Sequence, residues 1–283
     1  MIPAAFEYHR PSDIDSVIGL LRKHGDEARV VAGGHSLVPM MKLRMAAPEH
    51  LIDLRDLADL RGIDIGHPIR IGAMTTQHEL LTHAGLAEAA PIIAEAARQI
   101  ADPQVRYLGT IGGNVANGDP GNDMPGLMQC LDARFTLVGP DGTRDVAARD
   151  FFEAAYMTDR EEEELLVAIS FDPSAGGYAY EKQKRKIGDY ATAAAAVLLQ
   201  AEGGKVSSAA IAMTNLSDVP VFSAAAGDAL IGTDCNHKAV RAAIDAMLGE
   251  IDPMEDNRGP VEFKQHVAGI ILARAIARAW SRV

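Results

Sequence analysis

Two paired-glycine stretches are the parts of this 283-residue chain best suited to grip a ligand. The first, AGGHSL, spans residues 32–37 and follows the apolar run RVV, and the second, TIGGN, spans residues 110–114. Without a β-carbon, glycine lets backbone N–H groups approach an anion, and successive N–H groups form a concave cradle for it. Ser36, Thr110 and Asn114 add side-chain donors beside Gly33, Gly34, Gly112 and Gly113. A diphosphate is the ligand that asks for two cradles at once. The competing reading is two unrelated tight turns, because turns use glycine constantly. Neither stretch has the GxGxxG spacing that opens the helix of a dinucleotide-binding unit.

The remaining reactive residue types narrow the chemistry. The one dense basic cluster, KQKRK at 182–186, can meet a single anionic ligand but is too short to follow a duplex. A formal charge of −12 also argues against binding a nucleic-acid backbone. Cys130 and Cys235 lie far apart and outside any CxxC pattern. That speaks against an iron–sulfur or zinc site made by this chain alone and for two small buried hydrophobes in a reducing compartment. No Ser/His/Asp arrangement or carboxylate pair stands out, so no catalytic residue and no metal ligand is assigned. His35 is better read as part of the loop's architecture than as a reactive group, and Met40, Met41 and Met45 as core packing at helical spacing.

The elements that must position these residues follow from periodicity and punctuation. PSDIDSVIGLLRKHG (11–25) reads as a helix with Ser12 as its cap and Gly25 as its stop. ARVVAGG reads as a strand running into a glycine turn, and HLIDLRDL (50–57) as a second strand. Further on, Ile69 and Ile71 alternate as in a strand, and Thr76 with Glu79 makes a capping box. AEAAPIIAEAARQI (87–100) reads as helix, with Pro91 near its start. Residues 101–122 are dense in glycine, asparagine and proline and read as a long functional loop. A short helix is expected near Leu127–Leu131, a hairpin around the PDGT turn, and a solvated acidic edge at DREEEE (159–164) before the strand LLVAISF. DPSAGG (172–177) suits a linker. Beyond it an alanine-rich antiparallel meander turns at Gly203-Gly204 and gives way to helices after about residue 223. The class is α+β, expected as units 1–55, 56–173 and 174–283.

The opening MIPAAFEYHRPSD lacks the cationic and apolar regions of a signal peptide, and no apolar run is long enough to span a bilayer. A cytoplasmic protein is expected.

Three segments together resemble a known family. AGGHSLVPMMKLRM (32–45), TIGGNVANGDPGND (110–123) and KRKIGDYATAAAAV (184–197) are similar to the FAD-binding medium subunits of molybdenum hydroxylases, the xanthine dehydrogenase family, and most to the carbon monoxide dehydrogenase branch. The resemblance covers essentially the whole chain. It implies a p-cresol methylhydroxylase-type FAD-binding fold of two α+β subdomains, followed by a C-terminal α+β domain of carbon monoxide dehydrogenase flavoprotein type. It implies noncovalent FAD with its diphosphate held by Ala32, Gly33, Gly34, His35, Ser36 and Leu37 in one loop, and by Thr110, Ile111, Gly112, Gly113 and Asn114 in the other. Asp123 then matches a residue near the ribityl hydroxyls, Ile100 and Ala101 line the adenine or flavin region, and Leu166 offers a backbone contact to the adenine part. Tyr190 would cover a face of the isoalloxazine, with Lys184 or Lys186 beside its reduced form.

The resemblance also implies function. The chain would pass electrons from iron–sulfur clusters of a small [2Fe–2S] subunit, by way of FAD, to an external acceptor. Substrate chemistry, most simply carbon monoxide oxidation, would take place on a large subunit carrying the molybdenum cofactor, in a dimer of heterotrimers. Three alternatives stay open at this point: a molybdenum hydroxylase acting on an N-heterocycle or aldehyde, a self-contained FAD oxidoreductase of the same fold, and a scaffold module without flavin.

Overall fold

A computed structural model describes residues 2–283. The first sheet is parallel, with strand order β1-β3-β2, built from β1 (Glu7–His9), β2 (Ala28–Val31) and β3 (His50–Asp53). Between its strands run α1 (Ile14–His24) and α2 (Leu37–Lys42). Asp13 rather than Ser12 caps α1, accepting a 2.7 Å hydrogen bond from the Ser16 amide, while the Ser12 hydroxyl donates to Asp13. Asp13 is the residue with extended backbone next to the first helical turn, so its carboxylate is the one within reach of that amide. Gly25 ends the helix with φ of +48°, a conformation that favours glycine.

α2 is too short to bury a full methionine stripe. Met41 packs with Val31 and Leu51, whereas Met40 and Met45 stay exposed, contrary to the core role expected for all three.

The second sheet has order β4-β5-β10-β6-β7 and is antiparallel. It comprises β4 (Ile63–Asp64), β5 (Ile69–Gly72), β6 (Arg134–Gly139), β7 (Gly142–Ala147) and β10 (Leu165–Phe171), with β8 (Phe152–Ala154) and β9 (Met157–Thr158) forming a separate ribbon. Between β5 and β6 lie six short helices: α3 (Gln77–Thr82), α4 (Ala84–Ala89), α5 (Pro91–Ala97), α6 (Pro103–Leu108), α7 (Ile111–Ala116) and α8 (Asp123–Cys130). The Thr76–Glu79 capping box is formed in full at α3. The helix expected over 87–100 instead breaks at Ala90, where Pro91 starts a new one. Half of the expected 101–122 loop is helical. Asp102 caps α6 with Pro103 at its first position, and Thr110 caps α7. The glycine and asparagine content conceals these helices because capping and close packing, rather than propensity, sustain them.

Strand β10 divides two cores. Leu166, Ile169 and Phe171 face α5, α7 and α8, and Leu165, Val167 and Ala168 face Val17, Ile18 and Ile52 of the first sheet unit. A bulge between Leu166 and Ala168 lets two consecutive residues, Val167 and Ala168, share one face. The acidic run before β10 is not simply solvated. Arg144 on β7 donates to both Glu164 oxygens, at 2.6 and 2.7 Å, and also pairs with Asp159.

The third sheet, order β11-β12-β13-β14, contains β11 (Gly177–Gln183), β12 (Ala193–Glu202), β13 (Lys205–Thr214) and β14 (Val221–Phe222). It is followed by α9 (Ala224–Asp228), α10 (His237–Leu248) and α11 (Val261–Trp280). Alanine normally favours helix, yet the run at 193–196 is strand because both of its faces are covered. Ala194 and Ala196 pack toward the helices of the middle region, and Ala193, Ala195 and Val197 pack under α11. Small side chains let helices sit close on each side. At α8 the approach is so tight that a β-carbon on Gly126 would collide with Thr214 Oγ1. Among the described residues no helix is long and apolar enough to cross a membrane.

Candidate functional site

The two glycine stretches meet. Strand β2 delivers Ala32–Leu37 to the connection between α6 and α7, and there is no room at Gly33 for a side chain. A β-carbon there would stand 2.7 Å from Gly109 Cα. Gly34 adopts φ of +74°, the left-handed region in which a β-carbon is strained. A β-carbon on Gly113 would touch that of Ala32 at 3.5 Å, and one on Gly109 would lie 3.8 Å from the His35 ring. The Ser36 hydroxyl donates to Asn117 at 3.3 Å and closes the contact from the other side. His35 sits beside this junction with its side chain exposed.

Backbone donors divide unequally between the loops. Among the described residues, the N–H groups of Gly33, Gly34, His35 and Ser36 have no protein acceptor. In the second stretch they are spent. Ile111 donates to Thr75, Gly112 to Ala73, Asn114 to the Thr110 carbonyl, and Gly113 to the Thr110 hydroxyl oxygen. Gly112 serves packing: its β-carbon would stand 2.7 Å from the Ala73 carbonyl oxygen, so α7 lies directly on the end of β5. The first loop therefore supplies backbone donors, and the second supplies a wall with the buried Thr110 hydroxyl.

Asn114 works as an anchor. Its carbonyl accepts from Asn122 at 2.8 Å and its Oδ1 from the Met124 amide at 3.3 Å, which fixes the GDPGND turn beneath the glycine loops. At the end of that turn Asp123 is buried. Its carboxylate accepts from the Tyr180 hydroxyl at 2.5 Å and from Lys182 Nζ at 2.7 Å. Burial, with the negative Asp123 beside it, pushes the Tyr180 phenol well above its ordinary value, so it remains a donor. The Lys182 side chain is 1% exposed, and among the described residues its charge is balanced by Asp123 alone at ion-pair distance.

The 182–190 segment closes over this triad. Gly188 packs on the Ala101 backbone, and the Ile100 carbonyl accepts from Arg106 at 2.8 Å. Lys184 is half-buried, and desolvation together with the nearby Lys182 and Arg106 lowers its pKa. Lys186 is exposed. The Tyr190 ring lies against Gly121, and burial with Asp119 nearby pushes its phenol up to about 12. Leu166 is buried in the core, on the strand against which α7 packs.

Sequence reading passed over Arg106 and took Lys182 only as one member of the 182–186 cluster. The alternation of GYAYEKQ puts Tyr178, Tyr180 and Lys182 on one face of β11, but the partner that makes Lys182 significant lies 59 residues away. The arrangement can bind a long polyanionic ligand with a flat end. It offers backbone donors on the first loop, a buried acid–base–phenol triad, and an exposed tyrosine with Arg258 over its ring.

Comparison with known proteins bears on that ligand. Residues 4–173 match the family model of the FAD-binding domain in molybdopterin dehydrogenase, and residues 178–279 that of the CO dehydrogenase flavoprotein C-terminal domain. The chain is 54% identical to the carbon monoxide dehydrogenase medium chain of Afipia carboxidovorans, over 100% of this chain and 99% of the relative. It is 46% identical to that of Hydrogenophaga pseudoflava, with the same shares covered. The solved structure of reconstituted CO dehydrogenase from Oligotropha carboxidovorans is similar with a TM-score of 0.98 and 53% identity, covering 100% of both chains.

Proposed function

The chain belongs to the family of FAD-binding subunits of molybdopterin dehydrogenases, and from that membership we propose that it is the flavin-carrying medium subunit of a carbon monoxide-oxidising molybdenum hydroxylase. Identity of 54% along the full length to a carbon monoxide dehydrogenase medium chain supports this substrate over other members of the family. When bound, FAD supplies the redox step that links partner iron–sulfur clusters to an external electron acceptor.

The observation that carries the flavin assignment to particular residues is the junction of Gly33 with Gly109, beside four uncommitted backbone donors. In this reading Ala32–Leu37 hold the diphosphate by backbone N–H groups, and Thr110–Asn114 form the opposite wall. The orphan donors fit an anion, because unpaired backbone N–H groups in a glycine turn form an anion-binding nest. Asp123, held by Lys182 and Tyr180, orients the ribityl region. Ile100 and Ala101 line the groove, and the Leu166 backbone borders the adenine end. Tyr190 covers one face of the ring system and excludes water from it, and Lys184 places positive charge where negative charge accumulates.

The partners in this reading are a large subunit with the molybdenum cofactor and a small [2Fe–2S] subunit, in a cytoplasmic dimer of heterotrimers. Exposed Met40, Met45, Tyr107 and Leu108 flank the two glycine loops and supply apolar docking surface. The three units 1–55, 56–173 and 174–283 then divide the work between cradle, groove wall and lid. Reconstituting the chain with its two partner subunits tests the whole reading. Carbon monoxide should reduce an added dye only when all three subunits are present. Dye reduction by the large and small subunits at the same rate without this chain would contradict it.

A further inference from the structure

Far from the glycine loops, the first sheet brings three histidines and one carboxylate together. In the parallel pairing of β1 with β3, Glu7 is the register partner of His50, and His9, two residues along β1, shares its face. α1 packs on β3 and ends at His24, which sets its ring against that of His50 with centroids 3.6 Å apart. His9 Nε2 lies 3.1 Å from His50 Nδ1, and Glu7 Oε2 lies 3.5 Å from His50 Nδ1 and 4.0 Å from His9 Nε2. One ligand nitrogen from each histidine falls within 4.8 Å of the others. His24 Nε2 is buried and has no hydrogen-bond partner among the described residues.

We propose that Glu7, His9, His24 and His50 form a binding site for one divalent transition-metal ion of the zinc type, which ties β1 and the end of α1 to β3. Zinc bonds of about 2.0–2.1 Å require ligand atoms about 3.3–3.4 Å apart around a tetrahedron. The spacings of 3.1, 3.5 and 4.0 Å around the His9, His50 and Glu7 atoms bracket that value. Three imidazoles with one carboxylate suit Zn²⁺ and its first-row neighbours, whereas Mg²⁺ and Ca²⁺ take oxygen ligands. The buried orphan nitrogen of His24 is the atom that such an ion satisfies. Glu7 is exposed and gives the ion a way in. Glu7 and His9 come from β1, His24 from the end of α1 and His50 from β3, and β1 is only three residues long, so an ion here staples a short edge strand to its sheet. Cysteine spacing excludes a thiolate site and is silent about histidines that only the fold assembles.

Equilibrium dialysis of the FAD-loaded full-length chain, stripped with chelator and titrated with Zn²⁺, tests the site. One equivalent should bind with a roughly micromolar or tighter dissociation constant. His24→Ala and His50→Ala should each weaken it at least about tenfold, as loss of a ligand does. His237→Ala, at the exposed start of α10, should leave it unchanged. Binding that does not saturate, or that survives both site substitutions, would overturn the proposal. Should either variant lose its helical circular dichroism, Co²⁺ added to the wild-type chain decides the matter. Tetrahedral nitrogen and oxygen coordination should give visible d–d bands that Zn²⁺ abolishes, and their absence would overturn the assignment.

Discussion

Gly33 and Gly109 face each other so closely that a β-carbon on Gly33 would stand 2.7 Å from Gly109 Cα. This contact joins the turn after β2 to the connection between α6 and α7. Gly33→Val is therefore expected to push the two loops apart and lower flavin retention at least tenfold, by about 1.4 kcal/mol or more of binding energy. The ratio of flavin to protein absorbance after gel filtration measures it. Retention equal to wild type in a folded Gly33→Val chain would contradict the cradle.

Gly112 makes a different case, because its contact is with Ala73 rather than with the first loop. Gly112→Ala inserts a methyl group against backbone that cannot move aside. A destabilisation of about 1–3 kcal/mol is expected in denaturant unfolding of the full chain, in the range of overpacked cores. An unchanged midpoint would show that α7 has slack on β5.

The Asp123–Lys182 pair is buried on both sides, with side-chain exposures of 6% and 1%. Lys182→Met leaves a buried carboxylate with only Tyr180 as partner and is expected to cost about 3–5 kcal/mol. Asp123→Asn with Lys182→Met should recover much of that loss. A double-mutant cycle with no coupling between the two would remove the pair from the account.

Arg144 fixes the segment before β10, and its hydrogen bonds to Glu164, opposed in part by burial, hold that carboxyl below its ordinary value of 4.5. A depressed pKa contributes stability that is present above the unfolded-state value and lost as pH falls through the folded-state value. Arg144→Met should therefore cost about 1 kcal/mol at neutral pH, discounted for the partial exposure of the arginine. The difference between variant and wild type should fade as the solution is acidified below 4.5. Thermal melts at neutral and acid pH show whether the gap closes.

Much of this was legible in the sequence, for identifiable reasons. The glycine pairs, the capping box at Thr76 and the alternation of Ile69 and Ile71 are local signals, and local signals survive into the fold. What the sequence could not carry depends on distant contacts. TIGGN looks like a donor loop, yet its amides are consumed by Thr110, Thr75 and Ala73. Lys182 is one basic residue among neighbours until Asp123 approaches from α8. The cap of α1 fell one residue from where Ser12 suggested, since the choice between adjacent oxygens is made by backbone angle. His9, His24 and His50 share no spacing rule, and only the parallel pairing of β1 with β3 assembles them.

The central claim is that this chain carries FAD on its two joined glycine loops. Titrating the flavin-free, full-length chain with FAD and following flavin fluorescence tests it most directly. The account expects saturation at one FAD per chain in the wild type and at least tenfold weaker binding in Gly33→Val. Failure of the folded wild-type chain to take up FAD, or identical titrations for both, would contradict it.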